Sequence, residues 1–229
     1  MFFGYPDWTM LLVLPGLALA IFAQFKVRST FRKFSEVQTA RGRTGAEVAA
    51  ELLSRRGIRD VKIERVEGAL ADHYDPRTRT LRLSPEVYGS DSIAAIGVAA
   101  HECGHALQHN EKYAPLVARS ALVPVANIGS TAAYFLFLIG LFTSARPLMD
   151  LGILLFLGYI AFALITLPVE FDASRRAVAV LQGEGLVMPA EATGARAVLN
   201  AAALTYIAAA AMAILQLVRL LVLRNRSDD

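Results

Sequence analysis

Four long apolar runs limit the folds that are open to this chain of 229 residues. Each run is close to the ~20 residues that an α-helix needs to cross a hydrocarbon layer of ~30 Å. The chain as a whole is 55% hydrophobic, whereas about 45–50% is usual in soluble domains. The runs lie at about 8–25, 122–142, 148–167 and 198–218. We therefore predict an α-helical membrane protein with about four transmembrane helices.

The first run and the residues before it (1–25) are predicted to be a retained N-terminal transmembrane anchor. A signal peptide carries positive charge ahead of its apolar core, whereas Lys26 and Arg28 follow this run directly. Clusters of basic residues beside a span are typical of the cytoplasmic side of a membrane. Because the basic residues cluster there, the net charge of +3 is no argument for nucleic-acid binding. The cluster consists of Lys26, Arg28, Arg32, Lys33, Arg41 and Arg43.

Residues 26–120 have the pattern of a small α+β segment between two membrane spans. Thr44 and Glu47 form the sequence signature of a capping box, in which each side chain binds the backbone N–H of the other residue. They predict an amphipathic helix over 46–56, which Gly57 would end. This segment is therefore expected to fold outside the membrane.

Two strands and a long helix are predicted in the second half of that segment. Apolar and polar residues alternate with a period of two over 61–66, and again in a stretch that ends at Leu83. Ser90 or Asp91 is predicted to cap a helix that runs through His109. The most informative residues of the chain lie in the second half of this helix.

The sequence of that helix contains the motif His-Glu-x-x-His. His101 and His105 are four residues apart, so both imidazoles project from one helix face and can reach one metal ion. Glu102 points toward the same pocket and can take a proton from a zinc-bound water, whose pKa zinc lowers from about 16 to about 7. The motif therefore predicts hydrolysis of a peptide bond, with one Zn²⁺ per chain and Glu102 as the catalytic base.

A hydrolytic zinc site usually takes three protein ligands, and two residues are open for the third place. His109 lies a further ~6 Å along the helix from His105, so it is better interpreted as a polar helix-end histidine. Glu170 follows the third apolar run, where Pro168 is predicted to begin a new helix with Glu170 in its first turn. On spacing alone, Glu170 could either bind the metal or only complement the dipole of that helix.

The short connection between the second and third runs predicts a transmembrane hairpin over 121–168. A hairpin returns the chain to the side that it left, so a helix at 169–200 would share a compartment with the two histidines. The segments 26–45 and 169–200 carry nine Lys and Arg residues, whereas the other side carries three. We therefore expect the catalytic site to face the cytoplasm. The C-terminal segment 201–223, which overlaps the last run, is predicted to be a transmembrane or membrane-associated helix.

Several further residues are weaker candidates for a role at the site. Cys103 is the only cysteine of the chain, and we expect it to pack the helix rather than to bind metal. The strand near 80–83 could be an exposed sheet edge to which a peptide substrate adds as a strand. Residues that could orient a ligand or hold the oxyanion are His73, Tyr74, Asp172, Arg175, Arg176 and Tyr206.

Four motifs together resemble the YugP-type neutral zinc metallopeptidases, which are small bacterial membrane proteins similar in style to the HtpX-like proteases. The motifs lie at 72–76, 81–84, 99–108 and 168–177, and the resemblance covers about 5–220. It implies a zincin-like (gluzincin-like) catalytic segment in which His101, His105 and Glu170 bind zinc and Glu102 is the general base. HtpX-like enzymes have an aspartate where this chain has Ser174, so Asp172 or Arg175 is open to take over its role.

The resulting prediction is a multi-pass zinc endopeptidase of the bacterial inner (cell) membrane. Its expected substrates are unfolded or membrane-associated proteins, and its other partner is the lipid bilayer. The alternative is a non-catalytic membrane adaptor that retains a structural zinc site, although such a site has no need of Glu102. A third hypothesis is a metal-dependent hydrolase of lipid or prenyl-linked substrates. The sequence leaves the oligomeric state and the natural substrate open.

Overall fold

A computed structural model describes residues 7–226 of the chain. In chain order, a 3₁₀-helix at Trp8–Val13 is followed by α1 (Leu14–Ser35), α2 (Gly45–Arg55), β1 (Lys62–Arg65), β2 (His73–Asp75), β3 (Thr80–Leu83), α3 (Pro85–Tyr88), α4 (Ile93–Asn110), α5 (Ala114–Phe142), α6 (Arg146–Gly183) and α7 (Pro189–Arg226). Among these described residues, four helices are long and apolar enough to span a membrane: Trp8–Ser35, Ala114–Phe142, Arg146–Gly183 and Pro189–Arg226. The predicted fold class, α-helical and membrane-spanning with a small α+β segment, is confirmed.

The chain divides into two compact units. The helical unit comprises Met1–Ala23, Ala118–Leu167 and Thr205–Asp229, and the sheet unit comprises Gln24–Val117 and Pro168–Leu204. Both units therefore draw on the same long helices. The candidate site lies entirely within the sheet unit.

Within the helical unit, α5 and α6 approach each other closely at small residues. A Cβ atom added at Gly152 would lie 2.7 Å from the carbonyl oxygen of Ala133, and small residues of this kind let spanning helices pack backbone to backbone. Arg219 of this unit pairs with Asp7 at 2.7 Å. Arg219, which interrupts the last apolar run, is therefore compatible with a spanning helix.

The sheet unit is built around α4. The sheet has the order β1-β3-β2, in which β1 runs parallel to β3 and β2 runs antiparallel to it. Because β3 is the central strand, the prediction that 80–83 forms an exposed edge is wrong, and the edges are β1 and β2. Buried side chains of α2, β3, α4, α6 and α7 form the core of this unit, among them Leu52, Leu81, Ile96, Leu181 and Leu199.

Local signals set the ends of the two helices that precede the site. The predicted capping box is confirmed: Thr44 N–H donates to the Glu47 carboxylate at 2.9 Å, and Glu47 N–H donates to the Thr44 hydroxyl at 3.3 Å. The cap of α4 is one or two residues later than predicted. Ser92 accepts the N–H of Ala95 at 3.2 Å, while the hydroxyl of Ser90 donates to that of Ser92.

The predicted start of a new helix at Pro168 is wrong, because α6 runs without interruption from Arg146 to Gly183. Proline removes one N–H from the helix, and burial of Val169 and Ala173 stabilises the helix around it. Glu170 consequently lies in the interior of α6. It cannot complement the dipole of a helix N-terminus, so that explanation of Glu170 is excluded. The segment expected as one helix at 169–200 is the end of α6, a connection at 184–188 and the start of α7.

Candidate active site

The position of the site is set by a close approach between α4 and α6. A Cβ atom added at Gly104 would lie 2.5 Å from the carbonyl oxygen of Ala173 and 3.1 Å from its Cα. No real side chain tolerates these distances, so glycine permits the contact. Gly104 lies between His101 and His105 in α4, and Ala173 lies one turn after Glu170 in α6, so this contact brings the three polar side chains together.

We expect Gly104→Ala to destabilise the sheet unit by about 1–3 kcal/mol or more, since an added methyl group would overpack a backbone contact. The measurement is the Tm of the detergent-purified protein. Gly183→Ala is the matched control, because nothing lies within 4 Å of a Cβ atom added there. Equal Tm values for the two variants would contradict the close approach.

The ligand atoms of His101, His105 and Glu170 all lie within 4.8 Å of one another. Nε2 of His101 is 3.2 Å from Oε2 of Glu170, and Nε2 of His105 is 3.5 Å from the same oxygen. Ligands about 2.1 Å from a tetrahedral zinc ion lie about 3.4 Å apart, so these spacings fit a zinc ion. Two imidazoles and one carboxylate are also a donor set that catalytic zinc takes, with a fourth position left open.

Ser174 orients the first of these histidines. Its hydroxyl oxygen lies 3.1 Å from Nδ1 of His101, the ring nitrogen that does not face Glu170. When Nε2 binds a metal, Nδ1 carries the proton and donates it to a neighbouring oxygen. The resemblance left open whether Asp172 or Arg175 takes over from the aspartate of HtpX-like enzymes. Ser174 itself makes the contact from that position.

A second chain of contacts orients His105. Its Nδ1 lies 3.1 Å from Oε1 of Gln108, whose amide group donates to the Asp172 carboxylate at 3.0 Å and to the carbonyl of Val169 at 2.8 Å. The Asp172 carboxylate in turn pairs with Arg175 and Arg176. Sequence reasoning gave Gln108 no role, although its place three residues after His105 puts both on one helix face.

Glu102 is 8% exposed and is held by the edge strand β2. The backbone N–H of Tyr74 donates to Oε2 of Glu102 at 2.9 Å, so one carboxylate oxygen is fixed. The Tyr74 hydroxyl lies 2.8 Å from Nδ1 of His109, which therefore faces Tyr74 at the end of α4. Of the two residues that were open for the third ligand place, the structure brings Glu170 to the histidines.

The remaining candidates lie in other surroundings. His73 is exposed, with Nδ1 2.8 Å from the carbonyl of Ala71. Arg175 is tied to Asp172, and Tyr206 belongs to the helical unit. Cys103 is buried with its sulfur 3.8 Å from the carbonyl of Ala49. Burial raises the pKa of the Cys103 thiol far above its usual range, so the group is an uncharged packing side chain at neutral pH.

Buried hydrogen bonds also fix the loop that leads into β2. The Asp72 carboxylate accepts the N–H of Ser84 at 2.7 Å and the hydroxyl of the same residue at 3.0 Å. Burial raises the pKa of Asp72, and these hydrogen bonds offset part of the rise. Asp72 thereby ties the start of β2 to the end of β3, which sets the position of the Tyr74 N–H beside Glu102.

We expect Ser174→Ala to weaken zinc binding by about 10–100-fold, which is typical when a residue that orients a metal-binding histidine is lost. The measurement is competition with a chromophoric chelator. Ser174→Asp should retain the affinity, since a carboxylate can accept the same proton. Ser54→Ala, at an exposed position of α2, is the control. An unchanged affinity in Ser174→Ala would show that the contact does not orient His101.

Comparison with known proteins agrees with the motifs. Residues 9–225 match the family described as "Putative neutral zinc metallopeptidase". The chain is 48% identical over 219 residues to the "Putative membrane protease YugP" of Bacillus subtilis (strain 168), and the match covers 95% of this chain and 97% of that protein. No solved structure matches the chain significantly. The resemblance inferred from the motifs is thus confirmed, and the chain belongs to this family of neutral zinc metallopeptidases.

Proposed function

We propose that the protein is a membrane-embedded zinc endopeptidase in which His101, His105 and Glu170 bind one zinc ion and Glu102 is the general base. The observation that carries the proposal is the convergence of the three ligand atoms within 4.8 Å, contributed by two different helices. Zinc bound there would supply a Lewis acid that polarises a carbonyl oxygen and lowers the pKa of water. The other steps depend on side chains of this chain.

Glu102 takes a proton from the attacking water and passes it to the leaving amine nitrogen. The Tyr74 N–H holds one of its oxygens, which leaves the other free to face the reacting atoms. His101 and His105 are kept in the tautomers that bind metal through Nε2 by Ser174 and Gln108. A structural zinc site has no use for an oriented carboxylate next to its ligands, so this arrangement favours the enzyme over the adaptor.

The proposed substrates are peptide segments that are unfolded or tethered to the membrane. Glu170 lies in the same helix as an apolar stretch long enough to span a bilayer, so the site is expected near the membrane surface. The basic residues of 26–45 and 169–200 favour the cytoplasmic side of a bacterial inner membrane. A folded soluble protein would have to unfold locally to reach such a site.

Metal removal tests the proposal. Treatment with 1,10-phenanthroline should stop cleavage of an unfolded fluorescent reporter protein, and added Zn²⁺ should restore it. The isomer 1,7-phenanthroline, which does not chelate, is the matched control for inhibition by the aromatic compound itself. Cleavage that persists after zinc has been removed, as verified by elemental analysis, would contradict a zinc-dependent mechanism.

A further inference from the structure

A cavity lies beside the candidate site, between the end of α6 and the start of α7. Its volume is about 200 Å³, which is room for one medium-sized side chain. Ser174, whose hydroxyl oxygen lies 3.1 Å from Nδ1 of His101, is one of the lining residues. The cavity therefore adjoins a residue that touches a proposed zinc ligand.

Most of the lining area of the cavity is apolar. Its residues recur at helical spacing on both helices, so each helix turns one face toward it. Val178, Leu199 and Ala203 are buried, and Phe171 is partly exposed. The faces comprise Phe171, Ser174, Arg175 and Val178 on α6 and Arg196, Leu199, Asn200 and Ala203 on α7. Such a lining would hold an apolar side chain of a substrate.

The charge at the cavity is positive and incompletely balanced. Arg175 and Arg196 both contribute to the lining, and no acidic side chain does among the residues that the structure describes. Arg175 pairs with Asp172. Within residues 7–226, Arg196 has neither an ion pair nor a side-chain hydrogen bond. An exposed guanidinium beside an apolar cavity is suited to bind a carboxylate.

We propose that this cavity is a substrate subsite that accepts an apolar side chain and that Arg196 binds an acidic residue of the same peptide next to it. The inference rests on the proposed peptidase function, because it names the class of peptide that the site would select. A peptide fits better than an isolated anion, since most of the lining area is apolar and Arg196 is the one lining cation without a partner among residues 7–226.

The test uses the full chain in detergent and a neutral peptide through which one glutamate is moved residue by residue, with glutamine peptides as references. We expect one position at which glutamate raises kcat/KM about fivefold over glutamine, as for a partly exposed ion pair. In Arg196→Glu this ratio should fall below one, and a lysine peptide should be preferred instead. Arg59→Ala, an exposed arginine outside the cavity, should keep the wild-type ratio.

Binding of the same labelled peptides to the Glu102→Gln variant separates this inference from the proposed function. If no peptide is hydrolysed but glutamate peptides bind more tightly and Arg196→Glu reverses that preference, the subsite is supported and the peptidase is not. If peptides are hydrolysed and the ratio of kcat/KM for glutamate over glutamine peptides is the same in wild type and Arg196→Glu, the subsite is overturned. The subsite is also overturned if phosphatidylglycerol vesicles abolish the preference for glutamate peptides and bind the protein only when Arg196 is present. That result would assign the cavity to a lipid headgroup.

Discussion

Glu102→Gln is expected to lower the kcat of peptide hydrolysis by about 10²–10⁴-fold, the usual contribution of a general base, while one zinc per chain remains bound. The amide cannot take a proton from water. Its oxygen can still accept the N–H of Tyr74, which donates to Oε2 of Glu102 at 2.9 Å, so the fold should not change. Glu102 also supplies none of the three ligand atoms that converge on the metal position, so its replacement should not remove the zinc. The measurements are hydrolysis of an unfolded reporter and zinc content by elemental analysis.

The matched control for this variant is Glu67→Gln, a glutamate in the exposed loop after β1. It removes the same charge from the sheet unit and should retain full activity. Activity in Glu102→Gln equal to that of the control would exclude Glu102 as the base. Loss of both activity and zinc would instead indicate that Glu102 supports the metal. A phenotype in cells that is the same for Glu102→Gln and wild type would favour the adaptor.

Features that depend on local sequence could be predicted. The capping box of Thr44 and Glu47 involves neighbouring residues, and the structure contains both of its hydrogen bonds. The four long helices follow from runs of apolar residues, whose number and length a bilayer constrains. The shared face of His101 and His105 follows from the helical period alone.

Features that depend on tertiary contacts could not be predicted in the same way. The central position of β3 results from its pairing with both β1 and β2, which an alternating pattern does not encode. Pro168 is a helix-start signal locally, but packing of its neighbours overrides it and keeps α6 continuous. The role of Ser174 depends on α4 and α6 approaching each other at Gly104. No spacing within α6 indicates that its hydroxyl meets His101.

The last large effect concerns Glu170, the ligand that sequence spacing alone left open. Glu170→Ala is expected to reduce zinc well below one per chain, because the carboxylate is the group that Nε2 of both histidines faces, at 3.2 and 3.5 Å. Two imidazoles on one helix would remain, one ligand fewer than catalytic zinc sites use. The measurements are the zinc content after metal is added back and the increase that zinc causes in the free energy of unfolding. A zinc concentration of about 100 times Kd should stabilise the wild type by about 2.7 kcal/mol, and the variant by much less.

Two further variants make this experiment decisive. Glu170→Gln keeps the volume of the side chain, which is 3% exposed, so a cavity cannot explain a loss of zinc in both variants. Glu184→Ala removes a glutamate just after the end of α6 that pairs with Arg55 and Arg56, and it should keep zinc. If the metal-free forms of the Glu170 variants unfold at the Tm of the metal-free wild type, the lost zinc reflects a lost ligand and not misfolding. Full zinc in Glu170→Ala and Glu170→Gln would remove Glu170 from the site, and with it the argument that α6 completes a metal centre begun by α4.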